Sequence, residues 1–325
     1  MGTEEKMILP KKRVEYLDIV KGLGIIVVLY FHSRAPYRHY VAFFVMPMFF
    51  LVSGFLFESK STLKDFVIRK IKSLYIPFVF WNLIVYIFVH FKEFSFSEFG
   101  FFAMRILCTI TKEGTFLGAT WFLGSLFTES IIYKVLDTVI KPNKYKRIII
   151  TLIFVLRALF AFNYTMKYKL SRTLVLGMFF AIGYLVKDYI HIFRKYHRIW
   201  LGMLSGIAYI VFRYFTADTL LTHDLSSPVL YTFGSLTGSY FLICISQLLE
   251  KSKLNLIVWM KKGLCYLGRR SLDVLIWHLM CFRIVIGMQL VLWTGSLSGI
   301  LDYYPVYVAK HGWWLAYIVD RKSVV

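Results

Sequence analysis

The chain of 325 residues is basic and strongly apolar, with 39 Lys and Arg against 18 Asp and Glu, a net charge of +21, and 58% hydrophobic residues. Long apolar runs recur along its length, which excludes an ordinary soluble protein and indicates a polytopic membrane protein. We therefore predict an all-α transmembrane helix bundle of about nine to ten spans. It forms a single domain over residues 1–325, in which the last segment, at about 299–319, is short for a span.

The apolar runs divide the chain into nine predicted spans. They cover about 16–35, 41–57, 74–91, 119–136, 147–163, 171–189, 198–215, 228–249 and 271–292. If the N terminus is cytoplasmic, the loops predicted to lie inside hold 23 Lys and Arg residues, and those outside hold 10. This bias is the one that the positive-inside rule requires. The basic charge is therefore mostly a consequence of topology, and we expect no nucleic acid as a partner.

The first span, from Tyr16 to Ser33, carries three polar side chains, Asp18, Lys21 and His32. Such groups are costly in hydrocarbon and usually face a bundle interior or a watery cavity. At about 100° per residue, Lys21 and His32 are separated by about three turns, which places both on one stripe about 16 Å apart. Two interpretations stay open here. The stripe is functional, or Asp18 and Lys21 form an i,i+3 ion pair and His32 is an ordinary helix-end residue.

The segment 58–73 alternates apolar and basic residues, which is typical of a cytoplasmic helix lying along the membrane interface. Its Arg69, Lys70 and Lys72 have two possible roles. They anchor the helix at the membrane surface, or they form an anion site, since cations on successive turns hold phosphates through charge-assisted hydrogen bonds.

Polar residues also occur in two later spans. In the fourth, Glu129 lies two turns from Trp121 and faces similarly, and a buried carboxylate needs a partner. In the ninth, His278 lies within hydrocarbon, where a lone histidine is often only a hydrogen-bonding residue that faces the bundle. The phenylalanine-rich segment 92–118 is expected to be interfacial or re-entrant on the outer side. The four cysteines lie singly, so we expect no metal site.

Five motifs occur in a characteristic order along the chain. They are YLDIVKGLGIIVVLYFHS, MPMFFLVSGFLF, RKIKSLYIPFVFWN, ATWFLGSLF and LGRRSLDVLIWHL. In order and spacing they resemble the integral membrane acyltransferase family 3, and in particular its branch of fucose 4-O-acetyltransferases and enterobacterial common antigen acetylases. The family often has an Arg-x-x-x-Arg pair before the third span. Here Arg69 matches the first arginine and Ser73 stands at the second, which leaves Lys70 and Lys72 as stand-ins.

The resemblance implies a multi-pass protein of the bacterial inner membrane. It would move an acetyl or other short acyl group from acetyl-CoA or another acyl-CoA to a hydroxyl of a surface polysaccharide or its lipid-linked precursor. The expected partners are thus a glycan or lipid-linked sugar acceptor and the membrane lipids. No oligomeric state is implied.

Roles for the polar residues follow from this chemistry. His32 is predicted to take the hydroxyl proton or to carry the acyl group itself, and these two mechanisms stay open. Asp18 and Lys21 are predicted to set up the cytoplasmic end of the same cavity. The cations Arg69, Lys70 and Lys72 are predicted to hold the CoA phosphates. Trp121, Glu129 and His278 are expected to support the substrate or the imidazole.

Two other functional classes are compatible with a polytopic chain. A glycan transporter or flippase would also show charges within the membrane, but it commonly shows an internal repeat, and no convincing repeat relates the two halves of this sequence. A non-catalytic membrane scaffold would scatter its polar residues, whereas here they fall on shared helix faces. Both observations favour an enzyme.

Overall fold

The computed structural model describes residues 14–108, 117–164, 166–187, 199–215, 227–303 and 305–319. These ranges contain helices and no strand, which confirms the predicted all-α class. The helices are α1 (Glu15–His32), α2 (Arg38–Ala42), α3 (Val45–Phe55), α4 (Leu63–Lys70), α5 (Ile76–Val89), α6 (Phe96–Cys108), α7 (Trp121–Val139), α8 (Lys146–Asn163), α9 (Leu170–Val186), α10 (Ile199–Tyr214), α11 (Pro228–Lys251), α12 (Asn255–Arg269), α13 (Ser271–Thr294) and α14 (Trp313–Val319).

Within the described residues, five helical stretches are long and apolar enough to cross a membrane. They are Arg38–Phe55, Leu63–Val89, Lys167–Val186, Pro228–Lys251 and Ser271–Thr294. Helices α1, α7 and α8 also have 18 or 19 residues, but each carries three Asp, Glu, Lys or Arg side chains and so falls outside this set. The structure thus supports a membrane helical bundle. The count of nine to ten spans and the cytoplasmic N terminus stay predictions.

The segment 58–73 differs from the separate surface helix that its pattern predicts. Helix α4 continues through a π-helical turn, Ile71–Tyr75, into α5, so that Leu63–Val89 is one helical stretch. The cause lies next to this turn. Pro77 has no N–H and cannot donate to the carbonyl of Ser73, four residues before it. A single π turn before the proline changes the hydrogen-bond register without ending the helix.

Helix α6 lies within the predicted interfacial segment 92–118 and is buried on one side only. Its Phe102 and Ile106 are buried, whereas Phe96 and Phe101 are 85% and 76% exposed. One-sided burial is the property expected of an interfacial helix. Residues 109–116 lie outside the described part of the chain, and the outer location of this segment stays a prediction.

An aromatic cluster joins the segment just after α3 to α4, α7 and α9. The Phe57 ring contacts the rings of Phe66, Tyr133, Phe180 and Tyr184, with centroids 4.9–5.8 Å apart and edge-to-face geometry. This arrangement is the one that the charge distribution of aromatic rings favours. The cluster fixes α4, and with it the predicted anion site, against the end of α7.

Helix α12 packs directly on the backbone of α1 through two glycines. A Cβ atom on Gly22 would lie 2.1 Å from the Leu264 carbonyl oxygen, and one on Gly268 would lie 1.8 Å from the Asp18 carbonyl oxygen. Small residues allow this close approach of membrane helices. Only Arg270 separates α12 from α13, so the contact also determines where α13 begins beside α1.

Two alanine substitutions in α12 test this packing. Gly268→Ala should destabilise the protein by about 1–3 kcal/mol, because the added methyl group overlaps the α1 backbone. Gly263→Ala is the matched control, since an added Cβ meets nothing within 4 Å there. It should stabilise the helix by up to about 1 kcal/mol through helix propensity. Thermal unfolding of both variants in detergent measures the difference, and equal melting temperatures would contradict the proposed glycine contact.

Candidate active site

Two histidines from different helices meet between α1 and α13. The Nδ1 atom of His32, the last residue of α1, lies 3.1 Å from the Nε2 atom of His278, and the ring centroids are 5.0 Å apart. His278 is only 3% exposed, whereas His32 is partly exposed. The pair therefore has one buried member and one partly exposed member.

The glycine contact determines where α13 begins beside α1. Gly22 faces Leu264 and Gly268 faces Asp18, so α12 runs antiparallel to α1. The chain turns at Arg270, and α13 therefore starts near the Asp18 end of α1. From there α13 brings His278 to within hydrogen-bonding distance of His32.

The hydrogen bonds of His278 indicate which nitrogen of His32 is basic. The Nδ1 atom of His278 lies 3.1 Å from the Val274 carbonyl oxygen and 3.0 Å from that of Leu275. Carbonyl oxygens only accept, so Nδ1 of His278 carries the proton and its Nε2 accepts from Nδ1–H of His32. This assignment leaves Nε2 of a neutral His32 unprotonated. That atom can take a proton or attack a carbonyl carbon.

Residues near the two histidines in the chain contact α5 and the segment after α13. Trp277 packs on Trp81 of α5 at 4.4 Å between centroids, and Trp314 contacts Tyr30 at 5.5 Å. Side chains of α13 hold this final segment in place. Arg283 donates to the carbonyl oxygens of Ile300 and Tyr303, Gln289 donates to that of Val308, and the Tyr317 hydroxyl donates to Gln289. The sequence analysis gave the final segment no role at the site, because its apolar pattern is weak.

Asp18 and Lys21 form an ion pair near the other end of α1. Their Oδ1 and Nζ atoms are 3.0 Å apart, and the Asp18 side chain is 6% exposed. Along α1, Lys21 lies about 16 Å from His32. The structure thus contains the i,i+3 ion pair that the sequence left as one interpretation. A contribution of this pair to the reaction stays a prediction.

Glu129 pairs with Arg157 of α8. The two guanidinium NH₂ groups donate to the two carboxylate oxygens at 2.9 and 3.0 Å, and Glu129 is fully buried. The carboxylate fits against Gly177 of α9, where a Cβ would lie 2.1 Å from its Oε2 atom. Trp121 is buried in the hydrophobic core. Of the two candidates for contact with His32, the structure brings His278 to it and pairs Glu129 elsewhere.

The predicted anion-site cations lie at the start of the Leu63–Val89 stretch. Arg69 and Lys72 are exposed, and the Nζ atom of the partly buried Lys70 lies 5.4 Å from the Phe66 ring centroid. Two further lysines, which the sequence analysis missed, gather nearby around one carboxylate. Lys146 lies 3.1 Å and Lys134 3.9 Å from Asp137, and Lys134 also lies 5.9 Å from the Phe66 ring centroid. This end of the bundle is therefore rich in positive charge.

The described residues thus form a helical membrane protein with a histidine pair between packed helices and cations gathered at one helix end. The acyltransferase domain model of acyltransferase family 3 matches residues 14–319, so the chain belongs to this family of membrane acyltransferases. No curated protein and no solved structure matches the chain. The match confirms the predicted family, whereas the likeness to fucose or common antigen acetylases stays a prediction.

The Glu129 pair generates a prediction about stability. Arg157→Met should destabilise the protein by about 3–5 kcal/mol, because it leaves a buried carboxylate without its cation. The double variant Glu129→Gln with Arg157→Met removes the charge and should recover most of this loss. Thermal unfolding of both variants is the measurement. A double variant no more stable than the single one would show that the pair does not act as a unit.

Proposed function

We propose that the protein transfers an acetyl or other short acyl group from acetyl-CoA or another acyl-CoA to a hydroxyl of a glycan or of its lipid-linked precursor in the bacterial inner membrane. His32 is the reacting residue. The observation that carries this proposal is the hydrogen bond to His278, because it leaves the Nε2 atom of His32 as the basic atom. Membership of a membrane acyltransferase family supplies the reaction class.

In the general-base form of the reaction, Nε2 of His32 takes the proton of the acceptor hydroxyl. The acceptor oxygen forms a bond to the thioester carbonyl carbon, and the carbon–sulfur bond breaks. The departing thiolate then receives the proton from the imidazolium and leaves as CoA. His278 fixes the orientation and tautomer of His32 throughout, as the partner of Nδ1–H.

In the covalent form, the same Nε2 atom attacks the thioester carbonyl carbon, and the carbon–sulfur bond breaks to leave the thiolate of CoA. The acceptor hydroxyl then attacks the acyl carbon and breaks the carbon–nitrogen bond, and its proton passes to the thiolate, which leaves as CoA. The two forms differ in one observable. Incubation with radiolabelled acetyl-CoA without acceptor labels His32 only in the covalent form. The hydrogen bond from Nδ1–H supports both forms equally.

The donor is held, in this proposal, by Arg69, Lys70 and Lys72 through the phosphates of CoA. Lys72 and Trp81, which contacts the neighbour of His278, are nine residues apart on one helical stretch, or about 13 Å. The pantetheine arm is long and flexible and bridges this distance. A transporter or flippase, the alternative from the sequence, has no comparable observation in its favour.

Substitutions of the histidine pair test the chemistry. His32→Ala should abolish acyl transfer, because no basic nitrogen replaces Nε2. His278→Ala should lower kcat by about tenfold to a hundredfold with little change in KM, since it positions the base. His278→Gln should retain more activity, because its amide oxygen can accept from Nδ1–H of His32.

Steady-state kinetics of the purified protein with acetyl-CoA measure these effects. His39→Ala is the control, since His39 is exposed and lies seven residues beyond His32. It should behave as the wild type does. If the His32→Ala protein transfers at the wild-type rate, His32 is not the reacting residue.

A second kinetic test concerns the donor. The double variant Arg69→Ala with Lys72→Ala should raise the KM for acetyl-CoA about tenfold or more, because charge-assisted bonds to phosphate are lost. The effect should shrink at high salt, where the remaining electrostatic attraction is screened. Lys64→Ala, on the exposed side of the same helix, is the control and should leave the donor KM within about twofold. Equal donor KM values for both variants would show that these cations only anchor the helix at the membrane surface.

A further inference from the structure

A cavity of about 710 Å³ lies between α5 and α6, outside the residues to which the mechanism gives a role. Its volume falls within the range of small-molecule sites. We propose that this cavity, the α5–α6 pocket, binds a pyranose ring of the acyl acceptor. The inference rests on the proposed function and adds to it the place where the acceptor binds.

The pocket is lined by one stripe from each helix. Helix α5 contributes Asn82 and Tyr86, and His90 follows at its end, at spacings of four residues. Helix α6 contributes Glu98, Phe101 and Arg105 at spacings of three and four residues. Residues at such spacings share a helix face, so the two stripes oppose each other across the cavity.

The chemistry of these side chains suits a sugar ring. A pyranose has several hydroxyls, each of which donates and accepts hydrogen bonds, and apolar C–H groups on its faces. The Glu98 carboxylate accepts, and the Arg105 guanidinium donates in a fixed fork. Phe101 is 76% exposed and presents an apolar ring surface. A purely apolar ligand would make no hydrogen bonds with these charged groups, and a free anion would be repelled by Glu98.

One wall of the pocket is rigid before any ligand binds. The Tyr86 ring stacks on His90 at 4.1 Å and on Phe102 at 4.3 Å between centroids, with interplanar angles of 22° and 24°. The Arg105 guanidinium carbon lies 5.1 Å from the Phe102 ring centroid. Such stacking holds the guanidinium in place, which lowers the entropy lost on binding.

The pocket begins one residue from a contact between α5 and α13. Asn82 follows Trp81, whose ring contacts Trp277 of α13. From Asn82 the lining extends to His90, or about 12 Å further along the helix. Arg69 lies on the opposite side of Trp81 along the same helical stretch. Along this stretch the donor cations and the acceptor pocket would therefore lie on opposite sides of the contact with α13.

A second cavity, of about 670 Å³, is a poorer candidate for the acceptor. Its lining is mostly apolar and includes Tyr16 and Leu17 at the start of α1. Leu17 and His32 are fifteen residues apart, which is about 23 Å along the helix. A sugar hydroxyl bound there would not reach the reacting nitrogen.

Two matched pairs of variants test the α5–α6 pocket. Glu98→Gln and Phe101→Ala should each raise the KM for the acceptor, with about tenfold expected for the loss of the carboxylate. Glu93→Gln and Phe96→Ala are the controls, because both residues are exposed, lie in the same region and do not line the pocket. They should leave the acceptor KM within about twofold. The KM for acetyl-CoA should change in none of the four variants.

The acceptors are methyl glycosides of fucose, glucose and N-acetylglucosamine, together with the same sugars carried on an isoprenyl diphosphate in nanodiscs. Faster transfer to the soluble glycosides identifies a free glycan as the source of the pyranose, and faster transfer to the lipid forms identifies a lipid-linked precursor. Pocket variants that raise the acceptor KM no more than their controls overturn the inference and leave the proposed function intact.

A binding measurement separates the two proposals if the wild type transfers to no sugar. Saturation-transfer NMR detects weak contact between a methyl glycoside and the protein in nanodiscs without requiring any reaction. A signal that the wild type gives and Glu98→Gln loses supports the pocket even though acyl transfer has failed. If no glycoside gives a signal with the wild type, the sugar site itself is overturned.

Discussion

The close approach of α12 to α1 is the constraint on which the proposed site depends. A side chain at Gly22 or Gly268 would overlap the backbone of the facing helix, and without that contact α13 would begin elsewhere. Because one residue separates α12 from α13, the position of α12 determines where α13 begins. From that start α13 reaches the position where His278 contacts His32. The chemistry proposed for His32 thus rests on the close packing at Gly22 and Gly268.

Charges within the bundle lie in ion pairs, whereas the residues proposed to react are neutral histidines. Glu129 is held by Arg157, Asp18 lies against Lys21, and Asp137 is shared by Lys134 and Lys146. Each pair offsets part of the cost of removing its charges from water. The histidine pair is different, because two neutral imidazoles carry no such cost and can still exchange protons. Histidine therefore combines tolerance of burial with basicity at the proposed site.

The sequence predicted the helical class and most helix positions, because apolar runs and their basic flanks are local signals. It also placed His32, His278 and Glu129 on helices as residues that need partners. Their pairing depends on tertiary packing, which single residues do not show, and so the partner of Glu129 was left open. The continuous Leu63–Val89 helix was missed because its basic start is typical of a separate surface helix.

Because Leu63–Val89 is one continuous helical stretch, the proposed donor cations and the lining of the proposed acceptor pocket lie on the same element. The π turn at Ile71–Tyr75 keeps α4 and α5 in one rod, so the cations at Arg69, the Trp81 contact with α13 and the lining residue His90 stand in fixed order along it. A break at Pro77 would have let the cationic end turn independently of the histidine pair. With one rod, the interval between a bound phosphate and the Trp81 contact with α13 is set by helical rise. The thioester arm of the donor then supplies the flexibility that the helix lacks.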